Sequence, residues 1–140
     1  MFSLKVKYAL RALAELAAHQ PEGELALVAD LAARQSAPKR FLESAMLDLR
    51  KHGVVYSRRG PGGGYGLNRA PERITLGEVV RILDGPLAPT SCTSLTAYRA
   101  CADCGDEANC ALRPVMQRLR DVTASVLDGT TLRDLCEGQV

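Results

Sequence analysis

The sequence lacks any long apolar run. Its N-terminal stretch, MFSLKVKYALRALAELAAHQPEG, has no hydrophobic core followed by a small-residue cleavage site, and charged side chains interrupt it at Lys5, Lys7, Arg11 and Glu15. We therefore expect a cytoplasmic protein with no signal peptide, no membrane span and no membrane partner. With 46% hydrophobic residues among 140, the chain is expected to form one globular domain, or a small domain with an appendage.

The chain also lacks a large net charge, because 18 Lys and Arg nearly balance 16 Asp and Glu. Its two halves nevertheless differ: residues 1–69 hold 11 basic and 6 acidic side chains, whereas residues 70–140 hold 7 and 10. A basic half suits an anionic partner, but charge alone favours ordinary solvated surface. Only the placement of the basic residues can therefore distinguish a binding surface for an anionic partner from ordinary solvated surface.

Helical periodicity dominates the first fifty residues. It predicts one helix over residues 3–19 and a short second helix over residues 27–35. A third helix is expected in SAPKRFLESAMLDLRKHG, with Ser36 as its N-cap, Pro38 in its first turn and Gly53 as its stop. Apolar residues line one face of this helix, so its other face should be polar and mainly basic.

After the third helix the period changes from helical to extended. GVVYS and YGLN are short β-type runs that flank RRGPGGG, which predicts a hairpin with a glycine-rich loop. Three helices followed by such a hairpin are typical of a winged helix-turn-helix DNA-binding domain, here residues 1–70. A phosphate-binding P-loop is set aside, because a strand follows the glycines and no Lys-Ser/Thr pair is present.

The predicted DNA contacts lie on the outer face of the third helix and in the wing. Phosphate or groove contacts are expected from Lys39, Arg40, Arg50, Lys51, Arg58 and Arg59, and the predicted interface includes Gly62 and Gly63. Glu43 on the same helix has two interpretations. It could accept a hydrogen bond from a cytosine amino group, or it could form a surface salt bridge with Lys39 or Arg40.

The C-terminal half predicts two more helical segments, giving a mainly α fold with a small β wing. Thr75 and Glu78 form a capping-box pair that opens a connecting helix within residues 71–88. Within residues 111–140, apolar residues repeat at heptad spacing, which suits a long dimerisation helix in a homodimer that binds a palindromic operator. These residues form an apolar stripe along the helix: Leu112, Val115, Leu119, Val122 and Val126. The alternative is that the stripe packs on its own domain.

Residues 89–110 contain four of the five cysteines but few aliphatic side chains. A loop of this length without secondary structure is uncommon in a compact domain. Thiols in a cytosolic chain favour metal binding or redox chemistry over structural disulfides. The four thiols, spaced C-x8-C-x2-C-x5-C, could converge on an iron-sulfur cluster or on tetrahedral zinc, and the residues alone favour zinc. The four candidate ligands are Cys92, Cys101, Cys104 and Cys110. Cys136, a lone cysteine, is expected to serve only helix packing.

The segments KYALRALAELA, LVADLAARQ and KRFLESAMLDLRKHGVVYSRRGPGGGYGLNRAPERITLGEVVRILDG, with a cysteine-bearing insert before a long helix, resemble the Rrf2 family of bacterial transcription regulators. The resemblance covers nearly the whole chain. It implies a homodimeric winged-helix repressor or activator, with the third helix in the major groove and the wing in the flanking minor groove. It also implies an iron-sulfur cluster, [2Fe-2S] or [4Fe-4S], between the DNA-binding part and the dimerisation helix.

The cysteine pattern departs from that of the cluster-binding relatives. Cys104 and Cys110 keep the five-residue gap, but the position of the preceding ligand is Tyr98, with Cys92 and Cys101 on either side of it. The positions that supply a histidine or a partner's carboxylate in some relatives are arginine and lysine in this chain, Arg113 and Lys7. The resemblance therefore implies an all-cysteine site within one protomer.

The expected mechanism is a switch, in which assembly, loss, oxidation or nitric oxide reaction of the cluster changes the spacing of the two recognition helices. A zinc-containing or metal-free thiol-switch regulator remains the alternative. An enzyme that uses Cys101 and Cys104 as a redox pair is disfavoured, because such motifs usually open a helix in an α/β fold and the sequence has no parallel-sheet pattern.

Overall fold

A computed structural model of the chain describes residues 2–19 and 23–138. Within these ranges the regular structure comprises six helices and one two-stranded hairpin, so the predicted mainly α fold with a small β wing is confirmed. The elements are α1 (Leu4–His19), α2 (Val28–Gln35), α3 (Lys39–Lys51), β1 (Val55–Arg58), β2 (Gly64–Leu67), α4 (Leu76–Asp84), α5 (Arg113–Asp128) and α6 (Leu132–Glu137).

The hydrophobic core lies between α1, α3 and α4, and α6 closes it from the C-terminal side. Apolar residues at three- and four-residue steps face inward on each helix, because this spacing follows the helical period. Leu13 of α1, the pair Leu42 and Met46 of α3, and Leu132 of α6 are fully buried. The C-terminal segment thus returns to the N-terminal helices and completes their core.

The junction between α2 and α3 differs from the sequence prediction. Ser36 is not the N-cap of α3: it ends α2 in the left-handed conformation, at φ 52° and ψ 39°, and its N–H donates to Ala33 O. Pro38 is the residue that precedes α3, without a side-chain cap. The prediction was wrong because a tight turn between two helices needs one residue with positive φ, and Ser36 provides it.

The hairpin is antiparallel, with Val55 opposite Leu67 and Arg58 opposite Gly64. A third extended segment docks on it, since Ala26 and Tyr65 exchange backbone hydrogen bonds of 3.0 and 2.8 Å. Gly64 makes this approach possible: its φ is 137°, and a Cβ there would lie 2.6 Å from the Ala26 backbone. The segment that leads into α2 therefore holds the wing beside the helix-turn-helix.

The predicted capping box on α4 is only half formed. The Thr75 side chain accepts a hydrogen bond from the Glu78 N–H, but the Glu78 carboxylate pairs with Arg69 instead of returning to Thr75. A complete capping box starts α6 instead, formed by Thr131 and Asp134. The carboxylate of Glu78 thereby ties α4 to the end of the wing.

The helix α5 lies beside α4 but buries none of its own residues. Two hydrogen bonds of 2.7 and 2.9 Å join the Arg81 guanidinium of α4 to the Asp128 carboxylate at its C-terminal end. Beyond α5, the chain pairs with the segment before α4, where Leu76 N donates to Thr130 O. None of the helices in the described ranges is both long and apolar enough to cross a membrane.

Candidate nucleic-acid interface and cysteine loop

The outer face of α3 is polar, as its pattern predicts. Its inner face is buried by Leu42, Met46 and Leu49. Because a helix has only one stripe facing the core, the intervening side chains are directed to solvent. The exposed set contains all five predicted contact residues of this helix: Lys39, Arg40, Glu43, Arg50 and Lys51.

A cleft of about 440 Å³ lies between the start of α2, the first turns of α3 and the wing. We call it the α3–wing cleft. It brings together five of the nine predicted contact residues, namely Lys39, Glu43, Arg58, Arg59 and Gly63. Sequence patterns did not indicate two further lining residues, Leu27 and Tyr65, which reach the cleft only because the segment before α2 pairs with β2.

The remaining predicted contacts lie outside this cleft. The Arg40 guanidinium stacks 5.1 Å from the centre of the Phe41 ring, and Arg50 donates from Nη1 to Ser57 Oγ of β1 at 3.2 Å. At about 1.5 Å rise per residue, the thirteen residues of α3 place its two ends nearly 20 Å apart, which accounts for these different neighbours. Lys51 and Gly62 are exposed.

The charges of the cleft are unevenly neutralised. Lys39 Nζ lies 3.5 Å from Glu43 Oε1, so the salt-bridge interpretation of Glu43 holds in this structure. Among the described residues, neither Arg58 nor Arg59 has a carboxylate within ion-pair distance. Arginines without a carboxylate partner are free to bind phosphate oxygens, which they can contact with two parallel hydrogen bonds.

An ion pair that the sequence did not reveal joins α3 to α1. Lys5 Nζ of α1 donates to Asp48 Oδ2 of α3 at 2.9 Å. This hydrogen bond holds the pKa of the Asp48 carboxyl below its usual range. Because the two residues are 43 positions apart, only the packing of α1 on α3 could indicate the contact.

The cysteine loop, residues 89–110, has no helix or strand beyond two short 3-10 turns, Ser91–Thr93 and Glu107–Asn109. All its thiols are free, and their exposure differs widely. Cys92 is buried with 9% exposure, Cys101 and Cys110 are half-buried, and Cys104 is exposed.

Two of the thiols shift each other's pKa. Cys92 Sγ lies 3.4 Å from the Thr90 hydroxyl, which lowers the pKa of the Cys92 thiol, and a hydrogen bond from Cys101 acts in the same direction. The same contact with Cys92 raises the pKa of the Cys101 thiol. Across residues 2–19 and 23–138, no three His, Cys, Asp or Glu side chains are placed to hold a metal ion. The thiols therefore do not converge on one centre in this arrangement.

Arginines of α5 hold the buried end of the cysteine loop. Arg120 donates from Nη1 to Thr93 O at 2.6 Å, and Arg113 donates to Cys92 O at 3.5 Å. Arg113 also pairs with Glu107 at 3.0 Å, and Glu107 in turn accepts from the Tyr98 hydroxyl. Sequence reasoning considered Arg113 only as a substitute for a ligand and missed Arg120, because no local pattern indicates a contact between residues 27 apart.

The apolar stripe of α5 does not pack on its own domain. Its large side chains are each 50–67% exposed, although they lie on one face of a regular helix: Leu112, Val115, Leu119, Val122 and Val126. Exposed apolar surface of this extent on one face typically marks an interface.

Comparison with known proteins agrees with this architecture. The family model of Rrf2, an iron-dependent transcriptional regulator, matches residues 2–138. The chain belongs to the Rrf2 family of transcriptional regulators. Over 137 residues it is 45% identical to an rrf2-like HTH-type transcriptional regulator of Rhodobacter capsulatus, which covers 96% of this chain and 91% of that relative. It is 35% identical to the HTH-type transcriptional regulator CymR of Bacillus subtilis, covering 95% of this chain and 87% of CymR.

Solved structures of Rrf2 regulators share the fold. The structure of CymR (YrzC), the global cysteine regulator of B. subtilis, aligns with a TM-score of 0.79 at 34% identity, covering 98% of this chain and 96% of that one. The structure of T. potens IscR aligns with a TM-score of 0.77 at 28% identity and covers 100% of this chain and 88% of that one. The predicted winged-helix fold and the predicted family are confirmed, and these relatives are named as regulators rather than as enzymes.

Proposed function

We propose that this Rrf2 regulator is a cytoplasmic homodimeric repressor that binds a palindromic operator through the α3–wing cleft and is switched by chemistry in the cysteine loop. One observation carries the DNA-binding part: the cleft joins the exposed start of α3 to Arg58 and Arg59 of the wing. DNA presents phosphates beside base edges, so a regulator needs cations for position and a neighbouring helix for sequence. The cleft offers both within one surface.

The base-contacting role falls to the exposed start of α3. In the free protein Glu43 pairs with Lys39. On DNA, the amino group of a cytosine would replace Lys39 as the donor to Glu43. An exposed ion pair of this kind is weak, so its exchange for a base contact costs little. Phosphate contacts then fall to Arg58 and Arg59, with Arg40, Arg50 and Lys51 as the flanking positions and Gly62 and Gly63 in the loop between the strands.

The homodimer is supported by α5. This 16-residue helix buries none of its residues. It carries four large apolar side chains on one face, with Leu112 just before it, and gains stability when a second copy covers that face. Two copies related by a two-fold axis present two recognition helices to a palindrome.

For the cysteine loop we propose an iron-sulfur cluster held by Cys92, Cys101, Cys104 and Cys110. The description of the family as iron-dependent supports iron as the metal. The thiols in this arrangement do not fit a cluster, because no three of them converge among the described residues and Cys92 is buried while Cys104 is exposed. The missing convergence and the lowered pKa of the Cys92 thiol favour a second candidate, a metal-free regulator that responds to thiol oxidation. The third candidate is a zinc ion bound by the four thiolates.

The DNA-binding proposal is tested with a duplex that the native protein selects from random sequence. We expect Arg59→Ala to weaken binding and to reduce the salt slope by about 1, since one phosphate contact is lost. Arg73→Ala is the control, because Arg73 is exposed and does not line the cleft. An unchanged affinity and salt slope in Arg59→Ala, measured by fluorescence anisotropy at several salt concentrations, would contradict the wing assignment.

The cofactor proposal is tested on protein purified without oxygen. We expect the native chain to be brown and to contain iron and sulfide, and Cys104→Ser to lose both, because a thiolate ligand is removed. Cys136→Ser is the control outside the loop. Colourless native protein with one zinc per chain would establish the zinc form, and colourless protein with neither metal would establish the thiol switch.

A further inference from the structure

The Ser91–Thr93 turn, which carries Cys92, is attached to α5 by one strong polar contact. Arg120 Nη1 donates to Thr93 O at 2.6 Å, the Arg120 side chain is only 15% exposed, and Thr93 is 1% exposed. Hydrogen bonds from an ionised donor are stronger than neutral ones, and burial removes the competing water. The weaker contact from Arg113 to Cys92 O, at 3.5 Å, lies beside it.

The turn itself is rigid, so displacement at Cys92 would be passed on to its carbonyl groups. The Thr93 hydroxyl donates to Thr90 O at 3.0 Å, and its backbone N–H donates to the same oxygen at 3.2 Å. Ser91 O accepts a hydrogen bond from the Arg99 N–H at 3.1 Å, which links a later part of the loop to the turn. Because Thr90 also contacts Cys92 Sγ, the thiol and the Thr93 carbonyl belong to one hydrogen-bonded unit.

The C-terminal end of α5 is fixed to α4. Asp128 accepts two hydrogen bonds from Arg81 of α4, and a Cβ on Gly77 would lie 1.9 Å from Asp128 Oδ1, so the two helices approach closely there. Just beyond α5, the Leu76 N–H donates a hydrogen bond to Thr130 O. The half of α5 from Arg120 to Asp128 therefore connects the Cys92 turn, which contacts the middle of the helix, with α4 at its C-terminal end.

We propose that Arg120 is a positioning residue that couples the Cys92 turn to the winged domain: it shields the Cys92 thiol and transmits displacement of the turn along α5 to operator binding. This inference rests on the proposed function for its readout by DNA. Its shielding part stands independently of that function, because thiol reactivity needs no operator.

Shielding is tested by the rate at which N-ethylmaleimide alkylates each cysteine in the reduced, metal-free full chain, measured by peptide mass spectrometry. We expect Arg120→Ala to accelerate alkylation of Cys92 about tenfold, since a buried charge-assisted hydrogen bond is lost. Arg120→Lys should restore part of the protection. Arg118→Ala is the matched control on the same helix, because Arg118 is exposed, and it should react as the native chain does.

Two results of this experiment overturn the proposal. One is a native alkylation rate at Cys92 in Arg120→Ala. The other is an equal acceleration at Cys136, which lies in α6 and packs against the core, because it would indicate general loosening of the fold instead of a local change. Acceleration confined to the cysteine loop supports it.

Transmission is tested by the affinity for the selected duplex before and after complete alkylation. We expect alkylation to change the Kd of the native protein and of Arg118→Ala about tenfold or more, while Arg120→Ala binds within about twofold of native when reduced and no longer responds. A full response in Arg120→Ala, or no response in the native protein, overturns the coupling. Native protein that binds no DNA contradicts the proposed function, and the alkylation rates then still decide the shielding.

Discussion

The winged domain and the cysteine loop with α5 are held together by different forces. In the winged domain, apolar side chains from α1, α3, α4 and α6 are fully buried against one another. In the other region, α5 buries no residue, and the loop depends on contacts such as Arg120 with Thr93 and Arg81 with Asp128. Polar contacts of this kind are few and specific, so a region built from them can rearrange without unfolding the domain beside it.

This difference suits a regulator. The surface that binds DNA needs a fixed shape, which close packing provides, whereas a sensing segment needs two arrangements of similar free energy. The exposed stripe of α5 adds a second dependence, because that helix gains most of its buried surface only when a partner covers it. The proposed assembly and sensing roles therefore fall on parts of the chain other than the buried core.

The largest effect on stability is expected from the core of the winged domain. Met46→Ala removes a fully buried side chain and should lower the free energy of unfolding by about 2–5 kcal/mol, because it leaves a cavity. Urea denaturation measures this change. Leu47→Ala is the control on the same helix, since Leu47 is 39% exposed, and a similar loss in both variants would break the comparison.

The apolar stripe of α5 should matter for assembly more than for folding. Val122→Asp places a carboxylate where a partner helix is expected to pack, so the dimer should dissociate and operator affinity should fall about tenfold or more. Sedimentation and anisotropy measure the two effects. Ser125→Asp, an exposed polar position of the same helix, should remain dimeric. A monomeric native protein, or a dimeric Val122→Asp, would show that the stripe has another role.

The smallest effect is expected from the ion pair between Lys5 and Asp48. Its contribution should be below about 1 kcal/mol, because the Asp48 side chain is 37% exposed. The pKa of Asp48 is lowered in the folded state, so the unfolded state binds its proton first as pH falls. The stabilisation is therefore present above pH ~4 and is lost as pH falls through the folded pKa.

Urea denaturation between pH 2 and 7 checks this sign. Asp48→Asn should show a smaller decrease in stability on the acid side than the native protein, because the Asp128 carboxyl, whose pKa Arg81 also lowers, still contributes, and both proteins should have similar stability at the lowest pH. A native profile and an Asp48→Asn profile that run parallel over the whole range would mean that the ion pair adds nothing to the free energy of unfolding.

The elements that local patterns define were predicted well. The helical periods of α1 and α3, the glycine-rich hairpin and the apolar stripe of α5 all follow from residue spacing, because each element has its own period. The roles of Ser36 and Glu78 were predicted wrongly, because they do not depend on residue spacing alone. A serine can cap a helix or end one, and a glutamate can complete a capping box or pair with Arg69, and only the neighbouring chain decides.

The sequence by itself determined the order of the elements, the family, the exposed cations of α3 and the wing, and the clustering of four cysteines in one loop. Only the tertiary structure decided which of these residues meet. It brought Lys39 to Arg59 across the α3–wing cleft, buried Cys92 while Cys104 stayed exposed, and joined Arg120 to Thr93. The physical reason is that periodicity and turn chemistry act over a few residues, whereas these contacts join residues far apart in sequence and depend on how whole helices pack.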